Sequence, residues 1–269
     1  MFSSPRILFL GLFFGAAGLL AFNQHPSFSS RMLPLERGRI SSKPMSDSFI
    51  YNLLQKNPSL FGSLLANRDQ LGIQVIYTKI DRDKKGRPAF TEHRFGVDTD
   101  RYFYPASTVK LPVAILALQR LNELKIPGLD KNSTLITGSA GGRQTEVSND
   151  PSAPDGRPTI AHYIKKILLV SDNDAFNRLY EFLGQEYINH HLHRMGYDQA
   201  QLIHRLEVSL TEEENRFTNP VRFTDSTGKI LYEKAAENSQ LSYAPRNTRM
   251  GNGYLKAGQL VNEPFDFSK

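Results

Sequence analysis

Length, composition and charge exclude several functions. A chain of 269 residues is long enough to bury a hydrophobic core, and its 33 basic and 27 acidic side chains are scattered rather than gathered into a basic stripe. We therefore expect no nucleic-acid partner. The sequence contains no cysteine, which excludes disulfides, thiol nucleophiles, thiolate metal sites and lipid attachment through cysteine.

The first residues have the pattern of an export signal. Arg6 precedes an uncharged run from Ile7 to Phe22 that is rich in Leu, Phe, Gly and Ala. We predict that residues 1–23 are a signal peptide or, if uncleaved, a membrane anchor, which would be the chain's only membrane contact. The protein is then periplasmic or otherwise exported. Residues 24–45 predict a flexible spacer before a domain over residues 46–269.

Residues 46–100 predict the first part of an α/β lobe. Apolar residues between Ser46 and Asn67 favour a helix that is interrupted near Pro58. The β-rich segments Ile73–Ile80 and Ala89–Val97 flank the turn-forming pair Lys85-Gly86. That pattern is typical of a β-hairpin.

The next stretch carries the candidate chemistry. The sequence Tyr104-Pro105-Ala106-Ser107-Thr108-Val109-Lys110 opens a helix that we predict from Ser107 to Lys125. A serine hydroxyl is a weak nucleophile without a base, and a helix places residues three apart on one face. Ser107 and Lys110 are therefore a candidate nucleophile and base. The alternative is that Ser107 merely caps the helix while Lys110 is solvated.

The same Ser-x-x-Lys spacing recurs at Ser226 and Lys229. Thr224-Asp225 before it and Gly228 inside it predict a turn, with no apolar periodicity to fix both side chains on one face. We interpret this copy as a chance match.

A tripeptide at a helix junction completes the candidate site. Residues 130–158 predict mostly loop, after which Thr159 predicts an N-cap for a helix over Ile160–Val170. A second helix is predicted over Asp174–Leu183, and Ser171-Asp172-Asn173 lies between the two. Such a corner projects a hydroxyl and a carboxamide into a cleft. The alternative is a capping turn, because Ser, Asp and Asn cap helices.

Together these motifs resemble a known family. Ser107-Thr108-Val109-Lys110 at the head of a helix, followed by Ser171-Asp172-Asn173 at a helix junction, resembles the active-site serine penicillin-recognising enzymes. Arg205-Leu206-Glu207 then follows at the separation where class A β-lactamases carry an Arg-x-Glu segment. The resemblance is therefore closest to class A.

The resemblance implies a role for each motif residue. Ser107 would be the acylated nucleophile, and its backbone N–H one oxyanion donor. Ser171 would pass a proton to the β-lactam nitrogen, Asn173 would hold the substrate's side-chain amide, and Glu207 would activate the hydrolytic water. Lys110 would be the base or a proton-network partner, and both Lys110 and Glu207 remain candidates for the acylation base.

Two further residues are expected near the site. Arg205 would anchor the loop that carries Glu207 by pairing with a carboxylate, for which we name Asp225. Tyr104 is close enough to Ser107 in sequence to line the cleft. The densest group of histidines is best interpreted as a solvated helix face rather than a metal site; it consists of His190, His191 and His193. We therefore expect neither metal nor cofactor.

The carboxyl-terminal part departs from the family pattern. Thr211 stands where the family usually places an Asn that helps to hold the water. Residues 224–269 predict a polar, insertion-like segment, and Lys256-Ala257-Gly258, the nearest match to the closing Lys-[Ser/Thr]-Gly strand, predicts a loop. The last strands of the sheet are therefore expected to be missing, and the 269-residue chain to be poorly soluble or inactive by itself.

These observations predict an α/β (α+β) fold of the serine β-lactamase/transpeptidase type. An antiparallel-sheet lobe would accompany an all-helical lobe over residues 101–223, the two meeting at Ser107. The predicted function is that of an exported, monomeric serine hydrolase acting on β-lactams or on peptidoglycan-like peptides. A penicillin-binding-type D-Ala-D-Ala peptidase or esterase, without Glu207, and a catalytically inactive module of the cell envelope are the alternatives.

Overall fold

A computed structural model describes residues 46–99, 101–140, 145–241 and 249–266. These residues form helices and antiparallel strands, the mixed α+β composition that the sequence predicts. The chain divides into two compact units, the first ending at Tyr102 and the second beginning at Phe103. The predicted signal or anchor and the spacer lie outside the described residues. Within the described ranges, no helix is long and apolar enough to cross a membrane.

The first unit consists of short helices and one hairpin. Its helices are α1 (Ser48–Gln55), α2 (Pro58–Ala66) and α3 (Arg68–Leu71), and its strands are β1 (Val75–Arg82) and β2 (Pro88–Phe95). The strands pair antiparallel from Val75 opposite Phe95 to Arg82 opposite Pro88. Both the helix break near Pro58 and the hairpin are confirmed. Pro58 begins α2 because the first helical residue needs no amide hydrogen.

The second unit begins with the predicted Ser107 helix. A 3-10 turn (Ala106–Val109) runs directly into α4 (Lys110–Leu124), which ends at Lys125 in a left-handed conformation. The later helices are α5 (Ile160–Val170), α6 (Asn173–Leu183), α7 (Gln185–Arg194) and α8 (Glu212–Arg216). Thr159 caps α5 by accepting a hydrogen bond from the His162 amide, as predicted.

The second unit also contains strands, so the prediction of an all-helical region 101–223 is wrong in part. The strands are β3 (Thr134–Thr137), β4 (Phe217–Thr218), β5 (Val221–Thr224), β6 (Ile230–Lys234), β7 (Glu237–Asn238), β8 (Arg249–Met250), β9 (Tyr254–Lys256), β10 (Gln259–Val261) and β11 (Phe265–Asp266). β3, β5 and β6 form a three-stranded antiparallel sheet. β3 lies inside the segment that the sequence predicts as mostly loop. The sequence does not reveal this strand because it has only four residues and its partner β5 is distant in sequence.

The polar segment from residue 224 onward forms short antiparallel strand pairs where it is described. β6 pairs with β5 in the three-stranded sheet, and β7 pairs with β4. β9 and β10 pair, and β8 pairs with β11. Ala257 and Gly258 form the turn between β9 and β10, with φ values of 50° and 80°, so the loop predicted at Lys256-Ala257-Gly258 is a hairpin turn. Ser226 lies in the β5–β6 turn, as its turn-forming neighbours predict.

Helix α6 forms the centre of the core. Every residue from Ala175 to Leu183 is buried, and α4 and α5 pack against it. Phe182 of this helix makes an edge-to-face contact with Phe223 of β5, with ring centroids 5.1 Å apart. The hydrophobic burial that stabilises the second unit is therefore concentrated around α6, whose amino-terminal end begins at the Ser171-Asp172-Asn173 tripeptide.

We expect Leu179→Ala to lower the free energy of unfolding by about 3 kcal/mol, because it leaves a cavity at a fully buried position. Leu169→Ala is the matched control, since that side chain is 81% exposed, and should change stability by less than about 0.5 kcal/mol. Urea unfolding of both variants measures the difference. Equal losses would contradict the assignment of α6 to the core.

Candidate active site

The structure brings Ser107 and Lys110 together. Ser107 lies in the 3-10 turn and is exposed, whereas Lys110 is the first residue of α4 and is 2% exposed. The three-residue offset places Lys110 Nζ 3.2 Å from Ser107 Oγ. A buried amine therefore lies within hydrogen-bond reach of an accessible hydroxyl.

The same amine reaches the helix corner. Lys110 Nζ donates to Ser171 Oγ at 3.0 Å and also to the Ser171 carbonyl oxygen. Burial lowers the pKa of Lys110 below the usual lysine value, although the nearby charges of Asp172 and Glu207 oppose this shift. One lysine thus contacts two hydroxyls, and its burial shifts its pKa in the direction of the neutral form.

Ser171 and its neighbours are held by two helix ends. Ser171 ends α5 in a left-handed conformation with φ of 56°, and Asp172 caps α6 by accepting a hydrogen bond from the Ala175 amide. Lys166 pairs with Asp172 at 3.4 Å and with Asp150 at 3.1 Å. The tripeptide is therefore both a capping turn and a corner that presents Ser171 to Lys110, so the two interpretations of the sequence are compatible.

Glu207 lies beside the same corner. Asn173 Nδ2 donates to Glu207 Oε2 at 2.7 Å, and the Glu207 side chain is exposed. Its backbone is left-handed, with φ of 58°, which is unusual for a residue with a β-carbon. The Glu207 carboxylate is thus tied to the first residue of α6.

The partner predicted for Arg205 is wrong. Arg205 pairs with Glu181 of α6, with Nε and Nη2 2.7 and 2.6 Å from Glu181 Oε1, and both residues are buried. Asp225 instead organises the β5–β6 turn, accepting hydrogen bonds from the amides of Thr227 and Lys229. Its carboxylate is therefore occupied locally.

Comparison with known proteins agrees with this geometry. A family model described as the β-lactamase enzyme family matches residues 66–244. The chain belongs to the β-lactamase enzyme family. This family is class A-like, and the matched range includes Ser107, Lys110, Ser171, Asn173 and Glu207. A search of curated proteins finds no match.

Two further positions are expected near the site, Tyr104 and Thr211. Tyr104, three residues before Ser107, is half-buried, and its place in a β-lactam cleft stays a prediction. Thr211, at the position where the resemblance leads us to expect an Asn, caps α8 and shares a capping box with Glu214. The Thr211 hydroxyl oxygen accepts a hydrogen bond from the Glu214 backbone amide at 3.1 Å.

The histidines of α7 are engaged in local contacts. His191 lies against the Tyr187 carbonyl at 2.9 Å and Glu123 at 3.5 Å, and His193 lies 3.1 Å from the Ala200 carbonyl. Over the ranges that the structure describes, no group of three or more His, Cys, Asp or Glu side chains is arranged to hold a metal ion.

Sequence reasoning missed two residues that support the Glu207 loop of this β-lactamase family member. Asn177 holds both backbone groups of Leu206, accepting from its amide and donating to its carbonyl, each at 2.9 Å. Glu181 holds Arg205. The signal was present: Asn173, Asn177 and Glu181 are polar residues four apart in a helix that is otherwise largely apolar, which places them on one face.

Proposed function

We propose that this chain is an exported serine β-lactam hydrolase that opens the β-lactam amide through an acyl-enzyme on Ser107. The observation that carries the proposal is the position of Lys110 Nζ, 3.2 Å from Ser107 Oγ and 3.0 Å from Ser171 Oγ. Membership of the β-lactamase enzyme family supports a hydrolase. Export rests on the pattern of residues 1–23 alone.

Acylation would use the buried lysine as the base. Neutral Lys110 takes the proton from Ser107 Oγ as that oxygen attacks the carbonyl carbon of the β-lactam. The carbon–nitrogen bond then breaks, and the leaving nitrogen receives the proton from the lysine through the Ser171 hydroxyl. The lowered pKa of Lys110 supports this role, because only the neutral amine accepts a proton. The Ser107 amide, at the head of the helix, would donate to the developing oxyanion.

Deacylation would use Glu207. Its carboxylate removes a proton from a water molecule, which attacks the ester carbonyl, releases the opened β-lactam acid and restores the Ser107 hydroxyl. Asn173 donates to Glu207 in the structure and would also hold the amide side chain of the substrate. The exposure of Ser107 and Glu207 leaves both accessible to substrate and water.

Ser107→Ala should abolish covalent labelling by a penicillin, because it removes the nucleophile while leaving the packing of α4 intact. Ser226→Ala is the matched control, since it alters the turn copy of the same motif, and should label as wild type does. Intact-mass analysis over time gives the readout. For the wild type, a transient adduct supports the hydrolase, a lasting adduct favours the peptidase, and no adduct favours the inactive module.

The acylation rate should rise with pH as Lys110 loses its proton, with a midpoint below the usual lysine value of about 10.4. Lys110→Arg should lose acylation at every pH, because a guanidinium does not deprotonate in this range. Stopped-flow labelling between about pH 6 and pH 10 measures the profile. A pH-independent rate in the wild type would contradict the assignment of the lysine as base.

Glu207→Gln should slow adduct decay by about 100-fold or more, because an amide cannot act as a general base. Adduct formation should change little if Lys110 is the acylation base. Glu213→Gln, an exposed carboxylate of α8, is the control and should decay normally. Loss of adduct formation in Glu207→Gln would instead identify Glu207 as the acylation base, and wild-type decay would favour the peptidase chemistry.

A further inference from the structure

One face of α6 and α7 carries a row of polar side chains, which we call the polar ladder. Its members recur at every fourth position and are Asn173, Asn177, Glu181, Gln185 and Asn189. Four of them are buried, with exposures of 7% or less for Asn177, Glu181, Gln185 and Asn189. A buried polar row of this kind is stable only when its hydrogen bonds are made.

The ladder binds the chain that leads to Glu207. In ladder order, its members contact Glu207, Leu206, Arg205, Ile203 and Leu202, so the chain runs antiparallel to the helices. The Asn189 side chain accepts a hydrogen bond from the Leu202 backbone amide and donates one to the Leu202 carbonyl, each at 2.9 Å. Asn177 makes the same two hydrogen bonds with the backbone of Leu206. The register of residues 202–207 is therefore set by helix side chains.

Glu181 is the charged member of the ladder and closes the base of the loop. Its Oε1 accepts a hydrogen bond from the Arg205 side chain, and its Oε2 accepts one from the backbone amide of Asn219. Arg205 in turn donates to the Phe217 carbonyl at 2.6 Å. Arg205 and Asn219, the two ends of segment 205–219, thus both donate to the buried Glu181 carboxylate. Glu181 is two ladder positions from Asn173, the member that contacts Glu207.

We propose that Glu181 is a positioning residue for Glu207, holding residues 202–207 in the register that places the Glu207 carboxylate beside Asn173. This inference rests on the proposed function of Glu207 in deacylation. Because a buried network is stable only when complete, loss of the Glu181 carboxylate loosens the whole row rather than one bond. Deacylation then slows, while the Ser107–Lys110–Ser171 contacts that serve acylation are retained.

The test is Glu181→Gln in the full chain, with decay of the penicillin adduct followed by intact mass after excess penicillin is removed. We expect decay to slow by about 10- to 100-fold, since small misplacements of a catalytic group have effects of this size. Adduct formation should stay within about threefold. A purely structural role would lower the amount of folded enzyme without changing the decay rate of the adduct that forms.

A control variant and a double variant accompany Glu181→Gln, so that a general effect of losing a glutamate or a failure to fold can be recognised. Glu186→Gln changes an exposed glutamate of α7 outside the ladder and should decay as wild type does. If Glu181→Gln does not fold, Glu181→Gln combined with Arg205→Gln removes both charges together, and the same slowed decay is expected. Wild-type decay in the folded variant overturns the positioning role alone. A wild-type chain that forms no adduct overturns the proposed function on which it rests.

Discussion

Helix α6 buries amide and carboxylate side chains together with aromatic ones, and each buried polar group on it needs a partner. Leaving one unpaired costs on the order of several kcal/mol, which is a large part of the stability of a domain. Asn177 and Glu181 find those partners in Leu206, Arg205 and Asn219. The path of the chain that carries the candidate catalytic glutamate is therefore dictated by the helix rather than by the conformational preferences of the loop itself.

The same helix connects both parts of the proposed chemistry. Ser171, two residues before α6, receives the Lys110 amine, and Asn173, the first residue of α6, contacts Glu207. Lys110 is buried, and its burial is tolerated because a hydroxyl and a carbonyl of Ser171 accept from it. The groups assigned to acylation and to deacylation are thus fixed relative to one rigid element, which favours a constant separation between them.

The sequence predicts what is local and misses what is distant. The hairpin of the first unit, the helix opening at Ser107 and the cap at Thr159 follow from periodicity, turn residues and capping residues within a few positions of one another. Strand β3 was missed because four β-prone residues become a strand only through pairing with β5, far along the chain. The partner of Arg205 was missed for the same reason, since sequence identifies a buried arginine's need for a carboxylate but not which carboxylate the fold supplies.

Residues with strained, left-handed backbone conformations cluster at the candidate site. Five non-glycine residues have positive φ in the described parts of the chain, and two of them, Lys125 and Ala257, end a helix and turn a hairpin. The other three are Ala106, Ser171 and Glu207, each at or next to a residue of the proposed chemistry. Such conformations cost on the order of 1 kcal/mol or more and persist only where the surroundings hold them. Lys110 holds Ser171, and Asn177 holds the residue before Glu207, so the hydrogen bonds that offset the strain are the ones that orient the candidate catalytic groups.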